Sequence, residues 1–315
     1  MGNNKNLYDV IIVGAGPAGL AAGLYASRRT LNTLLLGKNL GGQTTLTTKI
    51  ENYPGINLID GLTLSQNFFK QAEKYGTQYL AKDVIAIKKP NDNFRVSVKD
   101  EEFVSKTVIL AFGLTHRNLG VSGEEKYTGK GVSYCATCDA PLYRGKNVAV
   151  VGGGNSALDA ALLLSKISRQ VYLIHRSDGF RGDEITQKKL KQAKNVTIFL
   201  DSRVEEIKGN GFVKSLDLKT DAGPVKNILV DGIFIEIGYH AKTDWLKGLV
   251  DLNAKGEVVV NKFLETSCPG IYAAGDITDV PAKQIVIAAG QGSQAALAAY
   301  RYIIKREGRE PSPMH

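Results

Sequence analysis

Cysteine is scarce in this sequence: Cys135, Cys138 and Cys268 are all there is in 315 residues. Three thiols allow one intrachain disulfide at most, too few to staple a secreted domain of this size, and this points to a reducing, cytoplasmic setting. Histidine is nearly as rare, at His116, His175, His240 and His315. A structural zinc site needs about four ligands at paired spacings, and no second pair accompanies Cys135 and Cys138, so no metal is expected. Long apolar runs are missing too. The most apolar stretch, residues 11–26, is broken by four glycines and a proline, and the amino terminus MGNNKNLYDV lacks the basic-then-apolar layout of a signal peptide. No membrane partner is expected.

With 43% hydrophobic residues the chain can bury large cores, and its length suits about two domains. The net charge of +9 and pI near 9.2 invite a nucleic-acid reading. The charges are scattered, however, and clusters such as KKLKQAK (188–194) read as the solvated face of a helix. An acidic small molecule or a protein is the better partner.

One unit occurs twice. YDVIIVGAGPAGLAAGLYASRRTLNTLLLGK (8–38) lies over KNVAVVGGGNSALDAALLLSKISRQVYLIHR (146–176). The same spacing separates Gly14 from Gly152, Gly16 from Gly154 and Gly19 from Ala157. Each copy begins as a Val/Ile-rich run suited to a buried parallel strand, then gives a glycine turn, a helical pattern and a second apolar strand. The first glycine permits the turn, the second lets the backbone approach a diphosphate, and the third position, Gly or Ala, lets helix and strand pack closely. Two such turns in full strand–turn–helix–strand context predict an α/β protein with two doubly wound nucleotide-binding domains. Pro17 and Ala18 complete the first turn, and Asn155 and Ser156 the second.

The end of each second strand meets the adenosine ribose. In the second copy that position is basic, with His175, Arg176 and, after Ser177, Arg181. This cluster suits the 2′-phosphate of NADP through charge-assisted hydrogen bonds. In the first copy the strand runs into Gly37 and Lys38, which leaves no acid for a ribose; backbone amides of the loop 37–42 are the expected substitute.

The stretches VGAGPAGLAAGLYASR, GGQTT, ENYPG, CATCDAP, VGGGNSALDAA, HRSDGFR and GIYAAGDIT, in this order and spacing, resemble the low-molecular-weight thioredoxin reductases over nearly the whole chain. The resemblance implies a homodimeric FAD protein in which an NADPH domain is inserted into the FAD domain. On this chain the FAD domain would be residues 1–116 and 244–315 and the NADPH domain 117–243, with LAFGLTHR (110–117) and IEIGYHAKT (235–243) as the crossings. By the same resemblance the FAD site takes in Gly41, Gly42, Gln43, Thr44, Asn52, Val84, Ala111 and Gly113. Gly275 and Asp276 would meet the ribityl and phosphate region, and Lys283, Gln284 and Ile285 would open a helix aimed at the isoalloxazine. Ile237 and Gly238 would join the NADPH site. The chain departs from the family pattern at Phe112, at Ser177 in place of a second Arg, at Lys283 in place of an Arg and at Gly37. Ser177 removes a positive charge from the 2′-phosphate site, yet NADPH is still expected to be preferred.

A C-x-x-C closes too short a loop to stabilise the fold much, whereas a dithiol beside an acid, Asp139, suits redox work. The resemblance assigns Cys138 to receive electrons from the flavin, Cys135 to attack the disulfide of a thioredoxin- or glutaredoxin-like protein, and Asp139 to move protons. Because the pair lies in the inserted domain, rotation of the domains between half-reactions is expected. Alternatives are a flavin-dependent dithiol oxidase, a reductase of another carrier and, more remotely, a non-catalytic flavin or nucleotide sensor. A thioredoxin-like extension before Met1 and a redox centre in the tail EGREPSPMH are not expected. Cys268 reads as a small apolar residue before a buried strand.

Overall fold

The computed structural model describes residues 7–47, 50–220 and 223–310. They fall into two units. The first comprises the described residues up to Thr45, then Asn52–Thr115, then those from His240 onward; the second is His116–Tyr239 with a short piece of Leu46–Glu51.

In the first unit the apolar run LYDVIIV becomes the central strand Leu7–Val13, with Ile11 and Ile12 fully buried. It pairs in parallel with Thr33–Leu36 on one side and Glu102–Leu110 on the other, and Thr33–Leu36 pairs with Gln78–Leu80. The strand Glu102–Leu110 has two roles. Its amino half pairs antiparallel with Phe94–Val98, which leads to Val84–Lys88, while Val108–Leu110 pairs in parallel with Ile271–Ala273. Strands buried on both faces need no polar alternation, which is why Val10–Val13, Thr33–Leu36 and Val108–Leu110 are buried at every position, whereas Phe94–Val98 alternates buried with exposed or half-buried residues.

Two helices cover one face of this sheet, Pro17–Arg28 and Ile285–Arg306, and both pack into one core with Ile12, Leu35 and Ile109. They approach closely because Gly292 has no side chain: a Cβ there would lie 1.9 Å from the Ala18 carbonyl oxygen. Gly292→Ala is therefore expected to destabilise the protein by about 1–3 kcal/mol, since overpacking outweighs the ~1 kcal/mol helix preference of Ala over Gly. Thermal unfolding checks this, and a midpoint at or above that of the parent protein would contradict it.

The second unit holds a five-stranded parallel sheet in the order Val196–Phe199, Gln170–Ile174, Asn147–Val151, Gly232–Ile235, Val132–Ser133. An antiparallel sheet of Ser202–Asn210, Phe212–Thr220 and Gly223–Leu229 accompanies it. The basic run 188–194 lies mostly on the helix Glu184–Gln192, where Leu190 alone is buried and the lysines face solvent.

The repeat is physical as well as textual. The Gly14 amide donates to the Leu36 carbonyl at 2.7 Å and the Gly152 amide to Ile174 at 3.0 Å; likewise Ala111 donates to Val13 at 2.7 Å and Glu236 to Val151 at 2.8 Å. Each glycine turn thus closes on the carboxyl ends of the same three strands of its sheet, which is where doubly wound proteins bind ligands. The division of the chain departs from the expected 1–116, 117–243 and 244–315: Leu46–Glu51 and His116 group with the second unit. Residues 240–243 go with the first unit, because the Thr243 hydroxyl donates to the Gly256 carbonyl at 2.8 Å and the Trp245 indole to that of Lys242, also at 2.8 Å. Phe112, one of the departures from the family pattern, packs on Trp245 with ring centroids 5.4 Å apart.

Candidate functional site

Cys135 and Cys138 form a disulfide, with Cα atoms 5.4 Å apart. The short strand Val132–Ser133 delivers Cys135 in extended conformation to a single helical turn, Ala136–Asp139. The turn is tied back locally. The Cys135 amide donates to the Ser133 hydroxyl at 3.1 Å, the Cys138 amide to Cys135 Sγ at 3.3 Å and the Asp139 amide to the Cys135 carbonyl at 3.2 Å.

Asp139 is half-buried, and its Oδ1 has no hydrogen-bond partner among the described residues. Burial pushes its carboxyl above the usual range, with a hydrogen bond from Ser133 opposing. A carboxyl so placed stays protonated to higher pH than a solvated one, as an acid serving a neighbouring thiolate requires.

A second carboxyl, which the sequence reading passed over, reaches the same turn. Glu236 Oε1 accepts the Ala136 amide at 3.1 Å, and burial pushes its pKa up to about 7. The signal for it in the sequence is an acid within the apolar strand end IEIG.

The second glycine turn lies on the same sheet. Gly152 has φ of +151°, and a Cβ there would lie 2.3 Å from the Glu236 carbonyl oxygen; a Cβ at Gly154 would meet nothing within 4 Å. The open approach at Gly154 is what a diphosphate needs, and Ala157 is fully buried at the packing position. Asn155 Oδ1 accepts the Asp183 amide at 2.7 Å, and Ser156 is exposed. His175 departs from its expected role. Its ring fills the space above Gly153, where a Cβ would lie 2.2 Å from the ring, and it stacks on Phe180. Burial, then Arg181 and Arg176, lower its pKa, so it forms a neutral wall. The positive charge of the cluster rests on Arg176 and Arg181. Both are exposed beside Ser177 and make no ion pair among the described residues. Ile237 is half-buried, and Gly238 is exposed where the chain leaves the strand.

The turn of the first unit repeats the pattern. A Cβ at Gly14 would lie 2.3 Å from the Ala111 carbonyl oxygen and one at Gly19 1.8 Å from that of Gly14, while Gly16 faces open space. Pro17 opens the helix and Ala18 is buried against Gly275. Gly37 abuts Ala15, with 2.7 Å from a Cβ to the Ala15 amide nitrogen, so an acid there would collide with the turn. The loop closes on that turn through the Gly41 amide, 2.7 Å from the Ala15 carbonyl, and Gly42 lies against Gly16. Lys38 lines a surface groove of about 470 Å³ with Lys82 and Asp83. Gln43 donates to the Leu114 carbonyl, Thr44 is buried, and Asn52 donates to Gln284 Oε1 at 3.1 Å.

Farther along, Val84 begins its strand half-buried, and Gly113 lies in the segment that follows the end of the strand Glu102–Leu110. The Gly275 amide donates to Gln291 Oε1 at 2.7 Å, and burial raises the Asp276 carboxyl. Lys283 is spoken for by the Asp276 and Thr278 carbonyls and by Glu257 at 3.4 Å. Gln284 is the N-cap of the long helix and Ile285 its first residue. Cys268 is a half-buried free thiol packed on the core, its pKa raised by burial.

Two sterically required glycine turns, each with one open glycine, fit two nucleotides, and the disulfide beside the second turn defines a nucleotide-dependent disulfide oxidoreductase. The chain belongs to the pyridine nucleotide-disulphide oxidoreductase family, whose model matches residues 8–292. It is 36% identical to a thioredoxin reductase from Streptococcus pyogenes, with a TM-score of 0.90 over 95% of this chain and 99% of that one. A thioredoxin reductase from Giardia duodenalis gives 36% and 0.87 over 95% of this chain and 99% of that one. Among curated proteins it is 38% identical over 96% of its length to a component of the alkyl hydroperoxide reductase of Escherichia coli, and 36% identical over 96% to an NADH dehydrogenase of Bacillus subtilis. The chain spans about 60% of the length of each of these two. No helix among the described residues is long and apolar enough to cross a membrane.

Proposed function

We propose that the protein is an NADPH-dependent reductase of a thioredoxin-like protein disulfide, with FAD in the first unit and NADPH in the second. The observation that carries this reading is the Cys135–Cys138 disulfide with the half-buried acid Asp139 beside it. When bound, FAD would supply two-electron transfer between the pyridine nucleotide and a disulfide. Gly14, Gly16 and Gly19 would seat its diphosphate, Gly275 and Asp276 its ribityl chain. Gly152, Gly154 and Ala157 would seat the diphosphate of NADPH, with Arg176 and Arg181 on its 2′-phosphate.

In the reduced pair, the Cys135 thiolate attacks the partner disulfide and a mixed disulfide forms as the partner's other sulfur leaves. Cys138 then attacks Cys135 Sγ, which restores the Cys135–Cys138 bond and releases the partner as a dithiol. Asp139 gives a proton to the leaving thiolate and regains one when the pair is next reduced. Asp139→Asn, which cannot give up a proton, is expected to slow dithiol turnover by about 10²-fold or more and to leave reduction of the protein's flavin by NADPH nearly intact; stopped-flow absorbance separates the two. Rotation of the two units between half-reactions, a homodimer and a cytoplasmic setting complete the reading.

A second reading has its own support. The curated relatives are named for alkyl hydroperoxide reduction and NADH oxidation, which favours another disulfide carrier, or oxygen, as acceptor. The test is to reduce the purified protein anaerobically with NADPH or NADH, then add oxidised thioredoxins, glutaredoxin-like disulfides or oxygen and follow flavin reoxidation. Rapid reoxidation by a thioredoxin supports the first reading; rapid reoxidation by oxygen alone overturns it in favour of a dithiol oxidase.

A further inference from the structure

Glu236 has a counterpart in the first unit, and the comparison isolates what its side chain adds. The Glu236 amide bonds Val151 as the Ala111 amide bonds Val13, and each residue's carbonyl oxygen lies 2.3 Å from a Cβ placed on the turn glycine, Gly152 or Gly14. The nucleotide turn is therefore built equally well with a methyl group at this position. The carboxyl does something the turn does not need. What it meets is the redox segment: Oε1 accepts at 3.1 Å the amide of Ala136, the residue joined to Cys135. A carboxyl largely withdrawn from water carries a desolvation cost unless it is paired or protonated, and half-buried Glu236 has one amide as its hydrogen-bond partner.

We propose that Glu236 is a positioning residue of the dithiol: it holds the backbone that follows Cys135 and exchanges a proton with the cysteine pair when the disulfide is reduced. This rests on the redox reading of Cys135 and Cys138. Reduction breaks the Sγ–Sγ bond with two electrons, which the oxidoreductase activity supplies, and the pair takes up two protons. One of these returns to Asp139 and the other is shared between Glu236 and a sulfur, which leaves at least one cysteine as thiolate beside a neutral acid.

The surroundings leave few competitors for that proton. The redox segment brings Cys135, Cys138 and Asp139; the strand Asn147–Val151, the glycine turn 152–154 and the strand Val132–Ser133 bring no ionisable side chain. Tyr134 is engaged by Glu124 at 2.9 Å, and Asp231, the other acid near this strand, accepts the Asn147 amide at its opposite end. Burial pushes the Glu236 carboxyl up to about 7, where it can take up a proton near neutral pH.

The test measures thiol chemistry and needs no turnover. The protein is reduced with excess small dithiol, desalted, and the alkylation rate of Cys135 and Cys138 by iodoacetamide is followed from pH 5 to 9. The parent should show an inflection near neutrality in addition to that of the thiol. In Glu236→Gln, which keeps an acceptor for Ala136 and removes the charge, that inflection should vanish and the rate at pH 7 should rise about threefold: roughly one unit off the thiol pKa gives tenfold more thiolate, offset by lower nucleophilicity. A profile superimposable on that of the parent would overturn the proposal. A measurement on the parent alone gives a second check. The reduced-minus-oxidised infrared spectrum at pH 7 should show a new carboxylic-acid carbonyl band that Asp139→Asn retains; its absence would also overturn the proposal. Failure of thioredoxin to reoxidise the protein would count against the proposed substrate and leave both readouts unchanged.

Discussion

Replacing either Cys135 or Cys138 with Ser is expected to lower NADPH-driven reduction of a protein disulfide by about 10³-fold or more, because either change removes the only reversible disulfide that the chain can form. Cys268 offers no substitute: it is half-buried, unpaired, and its thiol is pushed toward the inert neutral form. The two variants should differ in what they trap. With Cys138→Ser, Cys135 retains the attacking role and a chemically reduced variant should accumulate a mixed disulfide with its partner; with Cys135→Ser it should not. Both should keep their nucleotide turns, since neither cysteine contributes to them. Non-reducing electrophoresis and mass analysis of the adduct check the assignment, and adducts through Cys138 would reverse it.

Arg176→Ala and Arg181→Ala are expected to lower kcat/KM for NADPH by about 10- to 100-fold each and that for NADH little. The magnitude is that of a hydrogen bond to a charged group, about 1.5–3 kcal/mol. In the proposed assignment these side chains would carry the charge and His175 would not: its ring is buried against Gly153 and Phe180, with its pKa lowered by burial and by both arginines. His175→Gln should therefore act on packing more than on cofactor choice. Ser177 between them adds no charge, so the proposed preference for NADPH would rest on two guanidinium groups. Steady-state kinetics with both nucleotides decide it, and equal efficiency with NADH in the parent would contradict the assignment of these residues.

Much of the site was legible in the sequence because its signals are local. A glycine turn is written in consecutive residues, and so is C-x-x-C with its following acid; the structure reproduces the two turns with the same hydrogen bonds at Gly14 and Gly152. Properties that arise from packing were not legible. His175 sits in a basic string and reads as a charge, yet burial against Gly153 and Phe180, and then the neighbouring Arg181 and Arg176, lower its pKa. Glu236 lies a hundred residues from Ala136 in sequence, so only the parallel pairing of Gly232–Ile235 with Val132–Ser133 brings the two together. Gly37 looked like a missing ribose ligand; the structure shows a position where any side chain would strike Ala15. The end of the inserted segment shifted for a related reason: Thr243 and Trp245 make their bonds within the first unit, which no local pattern announces.

The central claim is that electrons from a pyridine nucleotide leave through the Cys135–Cys138 pair. The direct measurement is to mix the protein anaerobically with one equivalent of NADPH, quench with an alkylating reagent, and analyse the peptide that contains both cysteines. Both should be alkylated, and prior addition of excess oxidised thioredoxin should return that peptide to the disulfide while the thioredoxin becomes alkylated. A peptide that stays disulfide-bonded while NADPH is consumed would contradict the claim.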